Sequence, residues 1–221
     1  MQANYVQRLR MVFSKHGPAR YIGHLDLART LERSLNRARI PIAYTQGFNP
    51  RPRLSFAAPL PLGYTSEYEL ADIWLMEEMA PEAALAQMME KMAPGVEVTA
   101  VYPVPIKAPS LQAITSSADY KAVSYEAADR GDLEDRIERL LAQESLIRER
   151  KRGKGKVKRY DLRPLVKTVR LDSDGEGKAA LCMTLMLMTG KSGRPDEVLA
   201  ALGLDPLAAH IHRTMITLAE P

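Results

Sequence analysis

The ten residues KHGPARYIGH (15–24) gather Lys15, His16, Arg20, Tyr21 and His24. Cleavage of RNA without a metal needs one group to take the 2′-hydroxyl proton and another to protonate the leaving oxygen. Histidine titrates in the range where it can do either. A neighbouring lysine or arginine stabilises the charge that develops on the phosphoryl oxygens. His24 is therefore the catalytic candidate of a nuclease reading, with Lys15 and Arg20 as phosphate contacts. The same residues suit plain phosphate binding or capping of the helix that follows, and spacing alone leaves both open.

A second candidate is YTQGFNPRPRLSFAAPLPLGY (44–64), with four prolines and two glycines. Each proline fixes its own φ and pushes the residue before it out of the helical region, so FNPRPRLSF is extended. A stiff segment has little entropy left to lose on binding. It can present Asn49, Arg51 and Arg53 to phosphates or to a guanine edge, with Phe48 as a stacking face for an unpaired base. The bland alternative makes Phe48 and Phe56 core residues and the arginines solvated ones.

The run RERKRGKGKVKR (148–159) holds eight basic residues in twelve, among them Arg150, Lys151, Arg152, Lys154, Lys156 and Lys158. Its glycines make it a flexible arm or hairpin tip that can follow a nucleic-acid backbone without reading sequence. No apolar anchors interleave with these charges, which argues against a membrane surface. The loop TGKSGRP (189–195) could offer backbone N–H groups, Lys191 and Arg194 to a phosphate beside a helix start, or be an ordinary turn. His210 and His212 lie two apart in an expected strand and share a face, but no companion carboxylate is placed to make a metal site. Cys182 sits in an apolar strand and reads as a small buried hydrophobe. No metal and no cofactor are expected.

Charge is segregated although the net value is only +4. Residues 1–60 carry ten basic against two acidic side chains, residues 61–146 six against sixteen, and residues 147–170 eleven against two. Two basic blocks in a nearly balanced chain point to a polyanion held locally. No apolar run approaches the roughly 20 residues of a membrane span. The first residues lack the apolar block of a secretory signal, so the cytoplasm is the expected location.

The elements that position these residues follow from periodicity. VQRLRMVFSK alternates, with Leu9, Met11 and Phe13 on one face and Arg8 and Arg10 on the other, as in a half-buried strand. In HLDLARTLERSLNRARI, Leu27, Leu31, Leu35 and Ala38 mark a buried helical face, while Arg29, Arg33 and Arg37 form a separate basic stripe. PIAYT, YELADIWLM and VEVTAVYPV read as strands, and APEAALAQMMEKMAPG as a helix bounded by proline and Pro-Gly. Residues 105–118, short of charge, read as a linker. The same order then recurs, with strands at DYKAVSYEA, LVKTVRLDS, KAALCMTLMLMTG and AHIHRTMITL and helices at DLEDRIERLLAQ and RPDEVLAALGL. The expectation is an α+β protein of two tandem ferredoxin-like (βαββαβ) domains, residues 1–104 and 119–221.

The blocks FSKHGPARYIGHLDL (13–27), GFNPRPRLSFAAPLPLG (47–63) and GRPDEVLAALGLDP (193–206) resemble the radical SAM-linked protein family. Its members are found beside, or fused behind, radical S-adenosylmethionine enzymes. The resemblance implies such an enzyme as partner. Tyr21, Gly23 and Arg51 stand where a typical member has phenylalanine, serine and histidine. The chain cannot be that enzyme itself, because one cysteine cannot hold the cluster that three closely spaced thiolates bind. Tandem ferredoxin-like domains with a glycine-containing loop also resemble the CRISPR repeat-processing endoribonucleases. Charge and resemblance together lead to an expected RNA-binding accessory protein of a radical SAM enzyme. The alternatives are a metal-independent endoribonuclease and a protein adaptor that binds no RNA.

Overall fold

The computed structural model describes residues 5–126, 129–151, 157–173 and 179–219. The chain divides into two compact units, one of residues 1–115 with 218–221 and one of residues 116–217. Each is α+β, with helices packed on an antiparallel sheet.

The first unit runs β1 (Gln7–Lys15), α1 (His24–Arg37), β2 (Leu54–Phe56), β3 (Thr65–Leu75), α2 (Pro81–Met89) and β4 (Val96–Pro103). β1 pairs antiparallel with both β3 and β4, and β2 pairs with the other edge of β3, giving the order β4–β1–β3–β2. One face is the core expected from the alternation. Leu9, Met11 and Phe13 meet Leu27, Leu31 and Leu35 of α1, and Ala84 and Met88 of α2. Gly95 precedes β4 with φ +83, where a Cβ would lie 2.3 Å from the His16 carbonyl oxygen, so only glycine lets that turn close on β1.

The other face of β1 departs from expectation. Arg8 and Arg10 do not point to water: both are buried around Asp72 of β3, which has no exposed surface. Arg10 donates from Nε to Asp72 Oδ1 at 2.7 Å and from Nη2 to Oδ2 at 3.1 Å. Arg8 donates from Nε to Oδ2 at 3.0 Å, and its Nη2 pairs with the same oxygen. The segment expected to be a linker is the lid over Arg8, because the Ala108 and Pro109 carbonyls accept from its Nη1 and Nη2 at 2.6 and 2.9 Å. That segment then forms a helical turn, α3 (Leu111–Ile114), whose Leu111 is buried, so residues 105–118 are not a free tether. Burial works against the Arg10 charge, but the bonds to Asp72 outweigh it and raise its pKa above the ordinary value. The expected strand PIAYT is reduced to single bridges at Ile42 and Tyr44, and the strand in that place is β2.

The second unit runs β5 (Thr115–Ser124), α4 (Arg130–Ala142), a hairpin of β6 (Ile147–Lys151) and β7 (Val157–Asp161), β8 (Val166–Ser173), β9 (Ala179–Met188), β10 (Lys191–Ser192), α5 (Pro195–Ala201) and β11 (Ala209–Leu218). β9 pairs with β5, β8 and β10, and β5 pairs with β11. The order β11–β5–β9–β8 matches that of the first unit, with the basic hairpin inserted between α4 and β8. Asp129 caps α4 by accepting from the Asp132 N–H at 2.9 Å. Cys182 is half-buried on β9 rather than enclosed. No helix among the described residues is long and apolar enough to cross a membrane.

Asp72 sets a test of this account of the first unit. Asp72→Ala leaves two buried guanidinium groups uncompensated and should cost about 3–5 kcal/mol in urea unfolding. The apolar triple change Arg8→Met, Arg10→Leu, Asp72→Leu should recover most of that loss. A loss under about 1 kcal/mol for Asp72→Ala would show that the pair is solvated in solution.

Candidate nucleic-acid interface

The proline-rich segment folds back on itself as a finger. At its root Arg53 N–H donates to the Ala43 carbonyl at 2.7 Å, and both sides bond to Trp74 of β3. Farther out, Tyr44 bridges Pro52, Thr45 N–H donates to the Arg51 carbonyl at 2.8 Å, and Arg51 N–H donates to Thr45 Oγ1 at 3.0 Å. The backbone of Arg51 is thus held on both sides. Residues 46–50 make the tip, and Phe48 there is fully exposed, with none of its ring buried in the unit.

Two anchors fix the finger. The Arg53 guanidinium lies 4.4 Å from the Tyr5 ring centroid and 4.9 Å from that of Trp74, and Arg8 lies 5.0 Å from Trp74. Arg53, expected among the phosphate contacts, is therefore the bolt at the finger's root. The Tyr44 hydroxyl donates to Asn36 Oδ1 on α1 at 3.2 Å. Arg29, Arg33 and Asn36 stand at i, i+4 and i+7, so the finger rises beside the exposed basic stripe of that helix. Arg29 meets Asp26 only loosely, at 3.5 Å and largely in water. Arg51 and Asn49 are exposed on the finger, and Arg29, Arg33 and Arg37 on the helix.

The residues around His24 are placed otherwise than their closeness in sequence implies. Lys15 is completely buried and its ammonium donates to the Ile22 carbonyl at 3.0 Å, so it is not a surface phosphate contact. His16 bonds Ser14 at 3.2 Å. Arg20 lies over Tyr21, 5.3 Å from its centroid. His24 turns to Phe56, with ring centroids 5.0 Å apart, and lines a cavity of about 260 Å³ with Glu32 and Ser55. Phe13 meets the same Phe56 at 6.1 Å. Residues 13–27 and 47–63 thus pack on each other at Phe56.

In the second unit the structure brings together residues that the sequence keeps apart. Arg150 of the basic hairpin, and Lys191 and Arg194 of the glycine loop, line one cavity of about 630 Å³. At least one N–H of the loop is already used. Gly193 N–H donates to Met186 at 2.9 Å, and its Cα lies so close to Leu165 that a Cβ would meet the carbonyl oxygen at 2.8 Å. Asp196 and Glu197 occupy the first turn of α5 and pair with Arg194 and Arg148, at 2.6 and 3.1 Å, so that helix start already carries its negative charge.

Tyr160 was not singled out by the sequence, where it is one tyrosine after a basic run. It lines this cavity, and its hydroxyl is buried with no hydrogen-bond partner among the described residues. Burial, with Glu197 nearby, raises its pKa, so it stays a protonated donor. Asp161 is different. The Leu146 N–H, at 2.8 Å, and the Arg163 N–H, at 3.0 Å, bond its Oδ1 and hold its carboxyl below the ordinary range. Arg152, Lys154 and Lys156 lie outside the described residues, and for Lys151 and Lys158 only the backbone is described. His210 and His212 sit with ring centroids 6.4 Å apart on β11. Among the described residues no three His, Cys, Asp or Glu side chains group closely enough to hold a metal.

Residues 8–195 match the family described as "Uncharacterized protein conserved in bacteria (DUF2344)". The chain belongs to this family. The family's span includes the Asp72 cluster, the finger, the basic hairpin and all of the lining of the larger cavity. Comparison with curated proteins finds no match. Among solved structures, a chain from the crystal structure of a Cbf5-Nop10-Gar1 complex superposes with a TM-score of 0.50 at 9% identity. The superposition covers 96% of this chain and 50% of that one, so this chain spans about half its length. At that identity the likeness concerns the fold alone.

The lowered Asp161 carboxyl makes a pH prediction. Such a group adds stability above the ordinary carboxylate range, and that stability is lost as pH falls through the lowered value. Asp161→Ala should therefore speed amide exchange at Leu146 and Arg163 at neutral pH and flatten the acid limb of a stability–pH curve. An unchanged acid limb would show that the two N–H bonds do not distinguish folded from unfolded carboxylate.

Proposed function

We propose that the protein binds RNA through the finger of its first unit and the basic cleft of its second, and that it serves a radical SAM enzyme acting on RNA. The observation that carries the RNA reading is the finger tip. A solvent-exposed phenylalanine forgoes about 2 kcal/mol of burial. It is held by a hydrogen-bonded, proline-braced root beside exposed arginines. That combination gives a base-stacking face next to phosphate donors, the pairing used to hold unpaired nucleotides. Two ferredoxin-like domains are the finer reading of the fold, supported by the shared strand order with a helix after the first and third strands of each unit. The radical SAM partner rests on the resemblance of residues 13–27 and 47–63, which pack together.

A nuclease has less support. Lys15 faces inward and His24 packs on Phe56, so the expected trio is not assembled. A protein adaptor remains the competitor, since an exposed phenylalanine can also enter a protein groove.

Fluorescence anisotropy with single-stranded RNA at several salt concentrations separates the two. Affinity should fall with salt by a log–log slope of about −0.7 for each phosphate contacted. Phe48→Ala should weaken binding by about 1–3 kcal/mol with the slope unchanged, because stacking releases no counterion. Arg29→Ala with Arg33→Ala should flatten the slope by about one to two units. No affinity for any RNA at low salt would leave the adaptor as the function.

A further inference from the structure

The cavity of the second unit is a half-open cleft with the size and mixed lining of a small-molecule site. Its volume of about 630 Å³ lies within the roughly 300–1,000 Å³ of small-molecule sites. The apolar lining is Pro164, Leu165 and Met186. The opposing charges are Arg150, Lys191 and Arg194 against the single carboxylate Asp161. Asp161 is already bound by two backbone N–H groups, and Arg194 is held in place by Asp196 at 3.0 and 2.6 Å. Arg150 and Lys191 are exposed and make no ion pair with a described carboxylate. Counting Asp161 and Asp196 against the three cations leaves a surplus of about one positive charge. Arg150 and Lys191, the two cations without an ion pair among the described residues, can together meet the two charges of a phosphate monoester better than the single charge of an internal phosphodiester.

We propose that this cavity binds the terminal phosphate monoester of a nucleotide, with the phosphate on Arg150, Lys191 and Arg194 and the sugar and base against Pro164, Leu165 and Met186. The buried Tyr160 hydroxyl is the uncommitted donor of the site, and a buried donor without a partner costs about 1–3 kcal/mol until something accepts from it. The nucleotide can be the end of an RNA or a free mononucleotide, and the two share this chemistry. The RNA arm rests on the function proposed above, whereas the free-nucleotide arm does not.

The test is titration of the full chain with AMP, adenosine and inorganic phosphate, beside one RNA sequence bearing either a 5′-phosphate, a 3′-phosphate or hydroxyl ends. AMP should bind at least about tenfold more tightly than adenosine, as expected for charge-assisted phosphate bonds. One phosphorylated RNA should likewise exceed the hydroxyl-ended form. Lys191→Ala and Arg150→Ala, at exposed positions that leave the fold intact, should each erase about tenfold of the AMP affinity. They should also remove the preference for a phosphorylated end. Binding of AMP without any RNA would support the site and overturn the RNA function. RNA binding that ignores the terminal phosphate, together with AMP no tighter than adenosine, would overturn the site and leave the RNA function standing. AMP affinity unchanged in Lys191→Ala would also overturn the site.

Discussion

The first unit is organised around one buried carboxylate. Asp72 has no exposed surface and is paired with both Arg8 and Arg10, which are themselves buried around it. The constraint spreads from that cluster. Arg8 recruits the carbonyls of Ala108 and Pro109, which fixes the segment leaving β4. It also lies on Trp74, and Trp74 carries Arg53 and both roots of the finger. The position of Phe48 at the tip therefore depends on an ion pair in the sheet. Such a cluster is weak evidence for stability, since an apolar core of the same shape can be as stable. It does tie distant segments together, because Asp72 accepts from both arginines while Arg8 also donates to the Ala108 and Pro109 carbonyls.

Much of this was legible in the chain. The apolar alternation of β1 and the Leu27, Leu31, Leu35 spacing of α1 fixed the core face of the first unit, and Pro81 and Gly95 marked element ends. The opposite face of β1 was not legible. Alternation separates two faces without saying what covers the second, and the carboxylate that neutralises Arg8 lies 64 residues away. PIAYT is divided between two partners, Pro41 to Ala43 bonding to the end of β3 and Ala43 to Thr45 to the returning arm of the finger, so it forms single bridges while β2 pairs at Leu54–Phe56. Lys15 looked like a surface cation because its own residue type usually is one. Its burial depends on the Ile22 carbonyl beyond a tight turn, which no periodicity reports.

The candidate site residues divide in the same way. Asn49, Arg51 and the α1 arginines were visible as an extended proline segment and a helical stripe, and the structure puts them side by side through the Tyr44–Asn36 bond. The second cleft was visible only in parts. Arg150 and Lys191 are 41 positions apart in sequence and belong to different motifs, and Tyr160 carried no signal at all. The hairpin is tied to the first turn of α5 by the Arg148–Glu197 ion pair at 3.1 Å, and Arg150 and Lys191 line the same cavity. Stiffness suits the finger for sensing the shape of an unpaired base. The half-open cleft, with two cations that form no ion pair with a described carboxylate, is the part proposed to hold an end.

The central claim is that the finger tip touches RNA directly. Ultraviolet crosslinking of the purified full chain to single-stranded RNA, with the attached peptide identified by mass spectrometry, tests it at the level of the residue. The account predicts nucleotide adducts on Phe48, lost in Phe48→Ala while adducts elsewhere on the chain persist. Robust crosslinking with no adduct between residues 44 and 53, or none at all under conditions where a known RNA binder is labelled, would contradict it.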